Sequence, residues 1–132
     1  MLFRSTRTFT DCTINGVYDK YVAPTYNGNC ANGAGSGLIV NSTKGYSKSM
    51  NITVDGGLIS SSVGYAVEEL ALAAEGESTE CYATVSIKNA ELRGALGDVY
   101  SENGVVTVFC ECGTQCVRQL TTLPTADRKS VV

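Results

Sequence analysis

The sequence predicts a mostly β protein, an antiparallel sandwich or barrel-like sheet of about seven or eight short strands with at most one helix, near residues 63–75. Three observations support this fold class. Apolar and polar residues alternate in several short segments, turn-forming pairs separate those segments, and glycine is abundant, with 14 residues. Alternation is typical of strands buried on one face only.

The first third of the chain predicts a hairpin followed by a long loop. Residues 6–14 and 17–23 flank Asn15-Gly16, a dipeptide that strongly favours a tight β-turn. Residues 24–37 then predict a loop, which contains Cys30. A Cys12–Cys30 disulfide would tether this loop and stabilise the fold by about 3 kcal/mol.

A second hairpin is predicted around residues 43–45. Its arms are residues 38–41 and 47–54. In the second arm Met50, Ile52 and Val54 alternate with polar residues, which indicates a half-buried strand. Residues 55–57, Asp-Gly-Gly, are expected to end it.

Residues 63–75 are ambiguous between helix and strand. Four apolar residues fall on one helical face: Val67, Leu70, Ala71 and Ala74. Val63, Tyr65 and Val67 alternate instead as a strand would, so the helix is favoured without excluding the strand. Adjacent Glu68 and Glu69 cannot face the same way in either structure, and we interpret them as solvated surface.

The last third predicts strands again. Residues 81–88 alternate, with Cys81, Ala83, Val85 and Ile87 on the apolar face. Residues 99–100 and 105–111 flank a turn at 101–104, which predicts another hairpin. A final strand is expected at residues 117–123, ended by proline.

Both ends of the chain read as translated sequencing adapter. Residues 127–132 are what GAT CGG AAG AGC GTC GTG encodes, and residues 1–5 are what GTG CTC TTC CGA TCT encodes from a GTG start. We therefore expect residues 1–5 and 127–132 to be non-native additions of metagenomic origin. Residues 6–126 would form a single β-rich, disulfide-braced domain, or an internal piece of a longer protein.

Composition excludes several classes of partner. The chain has a net charge of −3 and no cluster of basic residues, which argues against nucleic acid. No apolar run approaches the roughly 20 residues of a membrane helix, so membrane insertion is not expected. A chain poor in charge and rich in small polar residues is typical of extracellular β proteins, although no signal peptide is present.

The chain contains an even number of cysteines, which favours disulfides in an oxidising compartment. The disulfide candidates are Cys12, Cys30, Cys81, Cys110, Cys112 and Cys116. Cys81–Cys110 and Cys112–Cys116 are natural pairings in the predicted sheet. Zinc binding and free buried thiols stay open as alternatives, although the spacing of the last three cysteines is unlike that of a zinc knuckle.

No catalytic, cofactor-binding or metal site is predicted. The absence of histidine removes the usual Ser-His-Asp and Cys-His nucleophiles. The glycine-rich segment 33–37 leads into a predicted strand rather than a helix, so it does not indicate a phosphate loop.

Three tyrosines crowd around the first predicted hairpin and loop. Tyr18, Tyr21 and Tyr26 occur with Asn and Gly, a composition that binding surfaces favour. We therefore expect a non-enzymatic extracellular, cell-surface or virion module that contacts proteins or glycans, of unknown oligomeric state. The alternative is a fragment of a larger secreted enzyme, a carboxylate-based hydrolase whose catalytic part lies outside this chain.

Overall fold

The computed structural model describes residues 4–26, 31–43, 49–77 and 80–109. Within these ranges the chain forms ten β-strands and no helix. The strands are β1 (Arg4–Gly16), β2 (Val22–Tyr26), β3 (Ala31–Ala34), β4 (Leu38–Asn41), β5 (Ser49–Ser61), β6 (Tyr65–Leu70), β7 (Ala83–Lys88), β8 (Glu91–Gly94), β9 (Gly97–Ser101) and β10 (Val106–Phe109).

Two parallel sheets make up most of the fold. The large sheet has the order β1-β5-β7-β10, with β8 also paired to β5, and the three-stranded sheet has the order β4-β6-β9. Every pairing in both sheets is parallel. Among the strands of the described residues, β2 and β3 alone pair in an antiparallel manner, as a separate two-stranded sheet.

From β4 to β10 the chain alternates between the large sheet and the three-stranded sheet, with β7 and β8 together forming one layer of the large sheet. Each circuit therefore adds one layer to both sheets, which is the topology of a parallel β-solenoid. Strands that are neighbours in a sheet are separated by a whole circuit of chain, and for that reason they run in the same direction.

The predicted antiparallel sandwich or barrel is therefore wrong, although the prediction of mostly β structure is correct. The error came from interpreting turn residues as hairpins. Residues 101–104 connect β9 to β10, which belong to different sheets, and Gly16 ends β1 rather than joining two paired strands. These turns carry the chain around a corner instead of reversing it within a sheet.

The predicted helix near residues 63–75 is also wrong, because residues 65–70 form strand β6. All six residues of this strand are buried. A strand covered on both faces has a nearly continuous run of buried residues rather than an alternating pattern. The spacing of Val67, Leu70 and Ala71 therefore matched a helix by coincidence.

The core lies between the two parallel sheets and is built from stacked apolar side chains. In the large sheet Ile52 pairs with Val85, and Val85 pairs with Val106. Val40 and Val67 of the three-stranded sheet belong to the same buried cluster. Each added circuit thus extends an existing apolar column, which buries surface without a change of register.

A bend with left-handed backbone divides the large sheet. Asp11, Gly56 and Asn89 occupy equivalent positions in successive layers, and their φ angles are 51°, 82° and 58°. Aspartate, glycine and asparagine are the residues that adopt this conformation most readily. The predicted strand end at residues 55–57 is in fact this bend, and β5 continues through it to Ser61.

Candidate functional site

Two adjacent carboxylates are buried in the middle of the three-stranded sheet. Glu68 and Glu69 lie on β6 and are each 0% exposed. Burying an ionised group costs free energy unless it is paired or hydrogen-bonded. The interpretation of this pair as solvated surface is therefore wrong. Hydrogen-bond donors from other strands and turns compensate for the burial of both carboxylates.

Glu69 is surrounded by four hydrogen-bond donors. Its Oε1 accepts from Ser101 Oγ at 2.5 Å and from the backbone nitrogen of Asn103 at 3.0 Å. Its Oε2 accepts from Ser42 Oγ at 2.5 Å and from Asn103 Nδ2 at 2.6 Å. Four donors match the acceptor capacity of an ionised carboxylate. Asn103 Nδ2 also donates to Ser42 Oγ at 2.9 Å, which closes the network.

The Glu69 network joins three consecutive layers of the coil. Ser42 follows β4, Glu69 lies in β6, and Ser101 ends β9. Asn103 belongs to the turn that leads away from β9 towards the large sheet. The network therefore holds together the carboxyl-terminal ends of the three strands of this sheet, which is a structural role.

Glu68 faces the opposite side of β6 and holds a different part of the chain. Its Oε2 accepts from Tyr21 Oη at 2.5 Å and its Oε1 accepts from Ser36 Oγ at 2.7 Å. The Tyr21 ring packs edge-on against Tyr65, with ring centroids 5.9 Å apart. Glu68 thus anchors the segment that precedes β2 onto the outer side of the three-stranded sheet.

Neither carboxylate is placed to act on a substrate. They lie on opposite faces of one strand, so they do not form an acid–base pair, and both are closed off from solvent. Their partners are polar residues scattered through the sequence at positions 21, 36, 42, 101 and 103. Isolated serines and asparagines give no signal in the sequence, which is why both clusters were missed.

The same anchored segment carries an exposed apolar surface. All four exposed large hydrophobic side chains found among the described residues lie between positions 17 and 26, and we name them together the 17–26 surface. They are Val17, Tyr18, Val22 and Tyr26, with exposed fractions of 83%, 54%, 37% and 39%. Of the three predicted binding tyrosines, Tyr18 and Tyr26 are exposed and Tyr21 is the anchor.

Close backbone packing holds the 17–26 surface against the body of the protein. Pro24 is buried, and a side chain at Gly33 would meet its Cα at 2.8 Å. A Cβ on Gly35, whose φ is +103°, would lie 3.3 Å from the Cα of Tyr21. Glycine at these two positions therefore lets the segment approach closely.

The predicted disulfides are not present at the two cysteines that the structure describes. Cys12 and Cys81 are both free thiols of intermediate burial. Cys12 lies on edge strand β1, and Cys81 forms an isolated bridge with Thr43. Their sulfurs each approach a nearby backbone carbonyl at 3.5 Å. The remaining disulfide candidates, Cys30, Cys110, Cys112 and Cys116, lie outside the described residues, as does the predicted strand at 117–123.

Within residues 4–26, 31–43, 49–77 and 80–109, no group of three or more Cys, Asp or Glu side chains could hold a metal ion, and no helix is long and apolar enough to span a membrane. No protein-family model matches the chain, and no curated protein or solved structure matches it either. Function is therefore inferred from the geometry of the described residues.

Proposed function

We propose that this chain is a non-enzymatic structural and binding module that contacts a protein or glycan partner through the 17–26 surface. The single observation that carries the proposal is the concentration of exposed large hydrophobic side chains in ten consecutive residues. Exposed apolar groups gathered in one place are typical of interaction sites, whereas scattered ones are ordinary surface.

The anchor at Tyr21 supports the same proposal. Residues that bind a partner lose less conformational entropy when their backbone is already fixed. The Tyr21–Glu68 hydrogen bond and the packing of Pro24 against Gly33 fix this segment before any partner arrives. Tyrosine also offers a large contact area and a hydroxyl group at low entropic cost.

The buried carboxylates do not favour the second predicted function, a fragment of a larger secreted hydrolase. Glu69 accepts four structural hydrogen bonds, Glu68 accepts bonds from Tyr21 and Ser36, and neither carboxylate reaches solvent. An extracellular or cell-surface location is part of the proposal and rests on composition alone. The free thiols of Cys12 and Cys81 remove one of its supports.

Binding to two panels tests the proposal, one of immobilised glycans and one of displayed peptides. The test variant is Val17→Ser with Tyr18→Ser, which removes apolar surface without touching the anchor. Ala23→Ser is the matched control, because Ala23 is an exposed residue of the same segment. We expect wild type and control to bind the same panel members and the double variant to lose them. Absence of binding in both panels, or equal binding by all three proteins, contradicts the proposal.

A further inference from the structure

A second surface of different chemistry lies on the outer face of the large sheet. Between the start of the sheet and its bend, the outward residues of neighbouring strands form two rows of short polar side chains. The first row is Thr6, Asn51 and Thr84, and the second is Thr8, Thr53, Ser86 and Thr107. We name these seven residues the hydroxyl face.

The register of the parallel strands sets the spacing of this face. Neighbouring strands lie about 4.8 Å apart, and alternate residues along one strand about 6.6 Å apart. Thr8, Thr53 and Ser86 are direct partners, so their side chains stand in line across three strands. Threonine is β-branched and stiff at χ1, which holds each hydroxyl and methyl group in a defined place.

The hydroxyl face carries no charge. The chain has 23 charged residues, yet none of them is among these seven. The nearest charges along these strands are Arg4 and Arg7 on edge strand β1, and Asp55 in the next row, which pairs with Lys88 at 3.9 Å. Within the face, Thr84 Oγ1 donates to Asn51 Oδ1 at 2.7 Å. Three of the seven residues are exposed and the other four are partly exposed. Charge complementarity therefore calls for an uncharged partner.

We propose that the hydroxyl face binds the surface of ice. A regularly spaced array of six hydroxyl groups and the Asn51 amide offers donors and acceptors at repeated positions to a partner that is itself periodic. Each single hydrogen bond to ice replaces one to liquid water, so no single contact discriminates between them. Discrimination requires many preorganised positions to match the solid at once, which the parallel register supplies.

Neutrality and short side chains favour ice over a glycan. A charged group holds its own shell of liquid water, and long flexible side chains would lose more entropy when they order. Small-molecule and single-chain ligands favour concave sites with directed polar groups, whereas this face is the open side of a sheet. The seven residues also include no aromatic ring on which a sugar could stack. Solid water is the partner that this chemistry fits.

Partition of the protein into a slowly growing ice front tests the proposal, with thermal hysteresis measured on the same samples. The main variant is Thr53→Lys, which places a charge at the centre of the face. Thr8→Lys, on exposed edge strand β1, repeats the test where the added side chain has room. Thr13→Lys is the matched control, because Thr13 is exposed on the same strand beyond the bend. Circular dichroism of each variant confirms that it is folded.

Wild type and Thr13→Lys are expected to enter the ice and to depress its growth temperature, and both lysine variants of the face are expected to lose this activity. The double variant of Val17 and Tyr18 should keep it, which separates this proposal from the function of the 17–26 surface. Exclusion of wild type from ice overturns the proposal, as does equal partition of Thr53→Lys and Thr13→Lys. Binding to microcrystalline cellulose that Thr53→Lys removes would assign the face to a glycan and would also overturn it.

Discussion

The outer face of the large sheet and the three-stranded sheet handle polar side chains in opposite ways. Thr8 and Thr53 stand on an open face where solvent can satisfy their hydroxyl groups. Glu68 and Glu69 lie in a strand covered on both sides, where each oxygen needs a donor from the protein. Strands pair in parallel in both regions. The regions differ because β6 is covered on both faces, whereas the outer face of the large sheet is open to solvent.

Whether a strand is covered by other parts of the protein therefore decides how much its polar side chains contribute to stability. On the covered strand the polar groups hold distant parts of the chain together, and removing one leaves several others unsatisfied. On the open face a polar group exchanges with water, and its removal costs little. Among the polar side chains, those of the carboxylate networks are therefore expected to contribute most to stability, whereas those of the open face are free to serve binding.

The largest effect is expected from Glu69→Leu. This change removes the buried acceptor of four hydrogen bonds and should destabilise the protein by about 3–5 kcal/mol. Urea unfolding followed by circular dichroism measures the free energy of unfolding. Glu91→Leu is the control, because among the described residues the Glu91 side chain forms only an exposed pair with Arg93, and its loss should cost at most about 1 kcal/mol. Equal losses in the two variants would remove the distinction between the regions.

The next effect concerns the bend of the large sheet. A Cβ at Gly56 would clash with the Asp11 carboxylate, in a backbone with φ of +82°. Gly56→Ala should therefore destabilise the protein by about 2–4 kcal/mol, through strain and through the clash. Gly76 has the same φ with nothing within 4 Å, so Gly76→Ala measures the strain alone. A thermal melt in which both variants lose the same stability would contradict the close stacking at the bend.

A smaller effect is expected at the anchor of the 17–26 surface. Tyr21→Phe removes the hydroxyl that donates to Glu68 and should cost about 1.5–3 kcal/mol, as for a hydrogen bond to a charged group. Tyr18→Phe removes a hydroxyl from a side chain that is 54% exposed and should change stability by less than about 0.5 kcal/mol. Measuring the unfolding free energies of Tyr21→Phe and Tyr18→Phe compares the anchor with the exposed surface directly. An unaffected Tyr21→Phe protein would argue that packing alone holds the segment.

The smallest effect is expected on the open face. Thr84→Ala removes an exposed hydroxyl that bonds only to Asn51 among the described residues, and it should shift the unfolding free energy by less than about 0.5 kcal/mol. The same unfolding assay measures it. A loss comparable to that of Tyr21→Phe would show that this face is part of the stabilising structure rather than a free surface.

The sequence predicted strands well where one face meets solvent. Residues 38–41 were predicted as a strand and form β4 with those bounds, and the apolar face at Ala83, Val85 and Ile87 is buried. Alternation reports burial on one face, and β7 has it, whereas β4 is a short apolar run, Leu38-Ile39-Val40. The alternating pattern does not reveal whether strands pair in parallel or antiparallel, because both kinds of strand can have the same pattern.

The candidate site was predicted only in part. Tyr18 and Tyr26 were expected on a surface and are exposed, but the anchoring role of Tyr21 depends on Glu68, which lies 47 residues away. A carboxylate in a sequence is ordinarily read as solvated, and only the fold reveals that donors from other layers surround it. Long-range polar networks are therefore the part that local patterns cannot reveal.

The parallel register of the large sheet is the central claim, and backbone nuclear Overhauser effects between strands test it most directly. Parallel pairing predicts contacts whose residue numbers rise together, from Ile52 beside Val85 to Val54 beside Ile87. Cross-strand contacts in which one number rises while the other falls would show antiparallel pairing and would contradict the solenoid topology.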